Sequence, residues 1–432
     1  MDTVDILDVS QLRLAGDFDA QVRDVLQFVR LTREEVENLR LLYEDLEQTL
    51  RTRWHDCKIH PFGSIVTGLG IKTSDADCFV EVPFVPSSQK NSQICVKAAR
   101  NTLQRYPDLF TKLFVILSAK VPIVQFTHVP TQIHCDVSFT SHAGTRNSEL
   151  ICFMMQLDSR VLPMTILIKY WSKVHGLTGT NKLPNYSLIM MTIFYLQQID
   201  VLPSVEYLQN SAAQTNMVDN WNTSFMTNKS QVPPSQNKTP LYGLLRGFFE
   251  YYRDFDYKDS IISPYLGRPL KKTWFKGIEH VPNEFSQYIN NVTNNNCPPI
   301  KTETNGLICV QDPFQHNRNC TAGVFPRLFA TLVAYFRQSV NIFEGCPRDS
   351  VLGEWLRQPP PNIPVPPKRV INIGTVANGT HNNRPNKIVK RKNNSVLPPH
   401  LQKNKHNNKA VWNYAVSNAQ GRNGPNYMKR RF

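Results

Sequence analysis

Asp75 and Asp77 stand two residues apart at the entry of a short apolar run, Cys78-Phe79-Val80-Glu81-Val82. No other feature of the chain narrows its fold as much. Residues i and i+2 of a strand point to one face, so the two carboxylates would lie side by side while Ala76, Cys78, Val80 and Val82 face a core. Two neighbouring carboxylates on an apolar strand repel unless a cation lies between them, and hard oxygen donors suit magnesium. A lone Asp-x-Asp beside a serine is at least as often an ordinary turn. A third acidic residue changes that balance. In residues 132–140, QIHCDVSFT, Ile133, Cys135, Val137 and Phe139 share one face and leave Asp136 on the other. A second strand with one inward aspartate completes a donor set for two cations, which in such centres lie roughly 3.5–4 Å apart and stabilise both oxygens of an in-line displacement.

Around this pair the periodicity changes in a definite order. Residues 18–51 place Val, Leu and Tyr among charges at helical spacing. Strand-like runs follow at 78–85, 119–129 and 132–140, with a helical stretch at 94–110. This mixture predicts an α+β domain with a mixed sheet flanked by helices. Further helices are expected within 147–198, 241–255 and 324–343. The expected organisation is N-terminal helices over 1–48 packing on a central domain, the carboxylate-bearing domain over 49–163, and a mostly helical central domain over 164–346. Residues 208–240, rich in Asn, Ser, Thr and Gln, read as a flexible insertion. Residues 347–432 read as a disordered tail rich in Pro, Asn and Lys.

Charge separates the tail from the body. Of the 49 lysines and arginines, 14 lie between Gln358 and Phe432, where there is no Asp or Glu; the remainder holds 35 basic against 34 acidic residues. A nearly neutral body with a basic appendage points to a polyanionic partner. The basic clusters IVKRKNN and MKRRF serve equally well as nuclear-import signals. Nine cysteines without a Cys-x-x-Cys pair suggest neither a zinc site nor a disulfide framework. The opening MDTVDILDVSQL lacks the basic and apolar regions of a signal peptide. The longest apolar run, near Tyr186–Leu196, is too short to span a bilayer. No membrane association is therefore expected, and the expected location is cytoplasm, nucleus or both.

Gly63-Ser64, then Ser74-Asp75-Ala76-Asp77-Cys78, then His134-Cys135-Asp136-Val137-Ser138-Phe139 together resemble the DNA polymerase β-like nucleotidyltransferase superfamily. The downstream helices and Asp312-Pro313-Phe314 narrow the resemblance to terminal uridylyltransferases and the related poly(A) polymerases. It covers roughly residues 18–343. The resemblance implies a template-independent transfer of nucleotides to an RNA 3′ end with two magnesium or manganese ions held by Asp75, Asp77 and Asp136. It implies that Gly63 and Ser64, ahead of a short helix, form a phosphate-binding turn, that Lys169 and Lys173 reach the triphosphate, and that Asn147 contacts the ribose. Tyr186 would stack on the base; Asn185 stands where the family commonly has Ser.

The loop Val310–Val324 resembles the family's nucleotide-recognition loop, with Asp312 at its Asp-Pro-Phe. Uridylyltransferases commonly carry a histidine just before the asparagine matching Asn319. Here that position is Arg318, and His316 lies two residues earlier. Loop length and the following CTAGV nevertheless look more like uridylyltransferases, so UTP is the expected substrate and ATP the alternative. An inactive RNA-binding scaffold is the competing reading from another class; retention of all three aspartates argues against it. The sequence shows no RNA-recognition module, so a protein partner for RNA selection is expected.

Overall fold

The computed structural model describes residues 5–83, 85, 88–303 and 307–362. The tail beyond 362 lies outside the described residues. Two helices open the chain, α1 (Phe18–Val29) and α2 (Arg33–Arg51). Asp17 caps α1 by accepting from the Ala20 amide. Thr32 and Glu35 form a reciprocal capping box on α2, which satisfies two amides that have no partner within the helix.

A five-stranded sheet follows, built from β1 (Lys58–Phe62), β2 (Ala76–Glu81), β3 (Phe110–Ile116), β4 (Ile123–His128) and β5 (His134–Ser138), with α3 (Gln89–Leu103) between β2 and β3. The spatial order is β1-β2-β5-β4-β3. Only β2 and β5 run parallel; the other neighbours are antiparallel. One face of the sheet is apolar. Ala76, Cys78, Val80, Cys135 and Val137 pack there with Val96 and Ala99 of α3 and Leu39, Leu42 and Leu46 of α2. The α+β reading therefore holds, and the facing of Ala76, Cys78 and Val80 follows the strand period.

The central region is helical: α4 (Ala143–Leu157), α5 (Val161–Val174), α6 (Asn185–Gln198), α7 (Val205–Asn210), α8 (Leu241–Asp254), α9 (Ser286–Thr293), α10 (Pro326–Gly345) and α11 (Val351–Arg357). Helices α5 and α6 are apolar nearly all round and lie buried in one large core. No single helix among the described residues is long and apolar enough to cross a membrane.

The packing departs from the expected divisions at three places. Helix α1 joins the central core through Val22, Val25 and Val29, but α2 packs on the sheet. The central core does not end at Cys346, because α11 buries Val351, Leu352, Trp355 and Leu356 in it, with Trp355 stacked on Trp171 at 5.9 Å. Residues 208–240 carry little regular structure, yet Trp221, Phe225 and Met226 are buried, and the guanidinium of Arg160 donates to the carbonyls of Asn237 and Thr239.

Candidate active site

A cleft of about 410 Å³ opens between the sheet and the central helices. The sheet side contributes Gly63, Ser64, Ser74, Asp75 and Asp77; α4 contributes Asn147 and Ser148; α5 contributes Lys169 and Lys173; α6 contributes Asn185 and Tyr186; Arg318 comes from the loop after α9. Nine of the residues picked out by sequence pattern or resemblance therefore share one cavity wall with Arg318. Asp136 and Asp312 are the two that do not line it.

Asp136 lies one strand away from the cleft wall. The parallel β2–β5 register sets it opposite Asp77. Gln125 of β4, its partner in the next register, donates to Asp136 Oδ1 at 2.9 Å. The carboxylates feel one another. Burial, then Asp136 and Asp75, push the Asp77 carboxyl up to about 8. Burial raises Asp136 as well, Gln125 opposes it, and Asp75 adds to the rise. Burial and the neighbouring carboxylates both act against the charged form, a conflict that a cation would relieve, and the all-oxygen donor set fits hard divalent ions. The three carboxylates are not drawn to mutual ligand distance: among the described residues, the one trio of metal-type donors within 4.8 Å is His60, Glu81 and His142.

Gly63 explains itself by contact. Its φ is +79°, and a Cβ there would meet Asp77 Oδ2 at 2.2 Å. Its amide donates to Ser148 Oγ at 2.8 Å. The expected helix after Ser64 is instead an irregular turn, with one Thr67 N to Gly63 O bond of 3.2 Å. Gly68 and Gly70 disfavour continuing this turn as a helix.

The lysine pair sits four apart on α5. Lys169 is buried, and its ammonium donates to the Leu69 carbonyl at 2.8 Å and Ser74 Oγ at 3.1 Å. Burial and then Lys173 depress it to about 7, against the pull of Asp77 and Asp75. Lys173 donates to the Thr73 carbonyl at 3.0 Å. Both cations are thus presented to the cleft by the 69–74 segment, next to the aspartates.

Asp312 sits behind the cleft rather than in it. Fully buried, it accepts from Tyr186 Oη at 3.1 Å, from Asn147 Nδ2 at 3.4 Å and from the amides of Phe314 and Gln315. Arg318 Nη1 lies 3.8 Å from the same carboxylate, with its guanidinium 5.9 Å from the Tyr186 ring centre. Asp312 is therefore a positioning residue for the three side chains that reach the cleft. Asn147 Oδ1 and Asn185 Oδ1 are buried with no hydrogen-bond partner among the described residues, an arrangement suited to donors of a ligand. His316 points elsewhere: it is buried against Tyr265, Trp221 and Phe285.

Sequence pattern missed several supports of the site, namely Ser148 under Gly63, Ser74 under Lys169 and Gln125 beside Asp136. Gln125 was within reach of the period-2 rule once β4 and β5 are paired; the other two depend on contacts between distant segments.

A mixed sheet with an Asp-x-Asp strand, a third aspartate on the parallel neighbour, and a glycine turn seated against Asp77 has the fold of the polymerase β-like nucleotidyltransferases. Two family models match the chain: "Poly(A) RNA polymerase, mitochondrial-like, central palm domain" over residues 18–156, and "Cid1 family poly A polymerase" over 240–318. The chain belongs to the poly(A) polymerase and terminal uridylyltransferase family of that superfamily.

Among curated relatives, the mitochondrial poly(A) RNA polymerase of Homo sapiens is 28% identical over 60% of this chain and 49% of its own length. That of Drosophila melanogaster is 27% identical over 76% and 59% respectively. The speckle targeted PIP5K1A-regulated poly(A) polymerase of Danio rerio is 27% identical over 61% of this chain and 38% of its own length. The chain thus spans between 38% and 59% of the length of these relatives. The fold matches the crystal structure of mtPAP in complex with ATPγS at a TM-score of 0.70 and 24% identity, covering 82% of this chain and 75% of that one. It matches the Cid1 poly(U) polymerase at 0.63 and 22% identity, covering 78% and 98%.

Proposed function

We propose that this protein transfers nucleotides from a nucleoside triphosphate to the 3′-hydroxyl of RNA without a template. One observation carries the reading: Asp75 and Asp77 line a cleft, with Asp136 opposite Asp77 on the neighbouring strand, and that cleft has two lysines on one wall and an aromatic ring with a guanidinium on another. Magnesium or manganese held by the aspartates would neutralise the triphosphate and lower the pKa of the attacking hydroxyl. The chain's own groups do the placing. Lys169 and Lys173 face the phosphates, the unpartnered Asn147 Oδ1 accepts from a ribose hydroxyl, and the Tyr186 ring, tethered through Asp312, stacks on the base. Gly63 keeps the approach to Asp77 open.

For the base, ATP is the better supported choice, against the uridine expectation. The curated relatives named above are poly(A) polymerases, while the Cid1 poly(U) polymerase shares the fold at 22% identity. His316, the imidazole nearest in sequence to the recognition position, is spent in the core, and Arg318 stands at the cleft in its place. A short RNA incubated with each triphosphate singly, in magnesium and then manganese, with the products sequenced, tests both levels. Adenosine tails support the full reading. Uridine tails retain the reaction and overturn the base choice. No extension by wild type under any condition favours the scaffold alternative.

The basic tail is proposed to raise the local RNA concentration through sequence-independent phosphate contacts. A chain ended at residue 362 should keep kcat and raise KM for RNA at low salt; an unchanged KM leaves nuclear import as the tail's role.

A further inference from the structure

Away from the aspartates, on the same face of the sheet, three metal-type donors meet. His60 on β1 and Glu81 on β2 lie diagonal to each other across the antiparallel ladder, in which His60 opposes Phe79. His142, immediately before α4, comes down on them from the loop after β5. His60 Nε2 is 2.9 Å and His142 Nε2 is 3.9 Å from the same carboxylate oxygen, Glu81 Oε2. The two imidazole rings are 4.7 Å apart at 73°, and both pack on the Phe79 ring, at 5.8 Å and 4.6 Å. All three donor atoms lie within 4.8 Å of one another.

We propose that His60, Glu81 and His142 form a zinc-type transition-metal site, distinct from the aspartate centre. The geometry supports it directly. Zinc–nitrogen and zinc–oxygen bonds of about 2.0–2.2 Å set tetrahedral donors roughly 3.4 Å apart, and the observed 2.9 Å and 3.9 Å bracket that spacing. Uptake of an ion therefore needs only small side-chain movements. Two imidazoles and one carboxylate are borderline donors that select zinc and its first-row neighbours over magnesium or calcium. The side chains are 29%, 43% and 39% exposed, so ions reach them from solution and a fourth position remains for water. Phe79 braces both rings from beneath and restricts their rotation. A plain His–Glu hydrogen bond accounts for His60 but not for a second ring nitrogen held 3.9 Å from the same oxygen.

The site is separate from the nucleotide cleft. Glu81 is four strand residues beyond Asp77, roughly 13 Å along β2, and none of the three donors lines the cleft. It does join elements that the cleft depends on. Strands β1 and β2 frame the Gly63 turn and Asp77, while α4 carries Asn147 and the Ser148 hydroxyl that receives the Gly63 amide. A bound ion would pin the start of α4 to the sheet and hold that spacing.

The test uses the untagged full-length chain, stripped with chelator and titrated with Zn²⁺ against a chromophoric competitor. Cobalt spectroscopy reports the coordination. The expected result is one equivalent bound with a visible low-coordinate cobalt band. Affinity should fall by about tenfold or more in His60→Gln and in His142→Gln, and stay unchanged in Asp77→Asn. Bound zinc should also raise the melting temperature of wild type but not of either histidine variant. Circular dichroism of each variant establishes that it is folded; should one fail, Glu81→Gln replaces it in the same comparison. Equal zinc affinity in wild type and the histidine variants overturns the proposal, as does binding that disappears in Asp77→Asn.

Discussion

At the scale of single residues, the site depends on close approaches that fix side-chain identity. Gly63 is the tightest. Alanine there places a methyl group on the Asp77 carboxylate and forces a left-handed backbone, which costs about 1–2 kcal/mol by itself. Gly63→Ala is expected to lower kcat by about two orders of magnitude or more, because a displaced carboxylate loses charge stabilisation of the transition state, while the melting temperature falls only modestly. A steady-state assay alongside a thermal melt separates the two effects. His316 makes a second prediction. Burial depresses it to about 3 from an ordinary 6.5, so the folded state keeps it neutral while the unfolded chain protonates below 6.5. The unfolded state then binds more protons, and stability falls as pH drops from 6.5 towards 3. Between pH 6.5 and 5 the loss is about 2 kcal/mol. Denaturant unfolding of wild type and His316→Phe across that range should show a flatter pH dependence in the variant; parallel curves would place the titration elsewhere. The facing of Asp77 and Asp136 away from the apolar side of the sheet was legible from the two-residue period. Asp312 was legible only as a motif. Its work behind the cleft, tethering Tyr186 and Asn147 and neighbouring Arg318, joins three distant segments that no local pattern connects.

At the scale of elements, what escaped the sequence had physical reasons. Strand β1 is short, contains Pro61 and lies at a sheet edge, where a missing amide is tolerated but the apolar signal is weak. Strand β3 is the other edge; it is bulged between Thr111 and Phe114, and Phe114 is 61% exposed, which breaks the alternation. Helix α2 has the same amphipathic pattern as α1, and a pattern says that one face is buried but not against what. Helix α11 is a single short apolar patch beside a proline-rich stretch, and its pull comes from the tertiary stack of Trp355 on Trp171. Trp355→Ala is expected to cost about 3–5 kcal/mol, as read by denaturant unfolding. A chain ended at residue 346 should be less stable than one ended at 362 by a similar or larger margin. Equal stabilities would mean that α11 is an ornament on the central core rather than part of it.

At the scale of the whole molecule, two cores are arranged so that their junction is the cleft. The sheet supplies carboxylates, the central helices supply cations and ring faces, and the segment 69–74 passes Lys169 and Lys173 to the aspartates. Composition marked the basic tail as an appendage to this body, and the body's own near-neutral charge leaves the cleft chemistry to local placement. If Asp75, Asp77 and Asp136 act as one centre, removing Asp136 should stop the chemistry. The decisive experiment is single-turnover extension of a short RNA by wild type and by Asp136→Ala at matched folded concentration. Wild type should extend the RNA in magnesium or manganese, and the variant, melting at or above the wild-type temperature because a half-buried carboxylate beside other carboxylates is gone, should lose extension by about a thousandfold or more. Extension by Asp136→Ala at a rate near wild type would contradict a single shared centre.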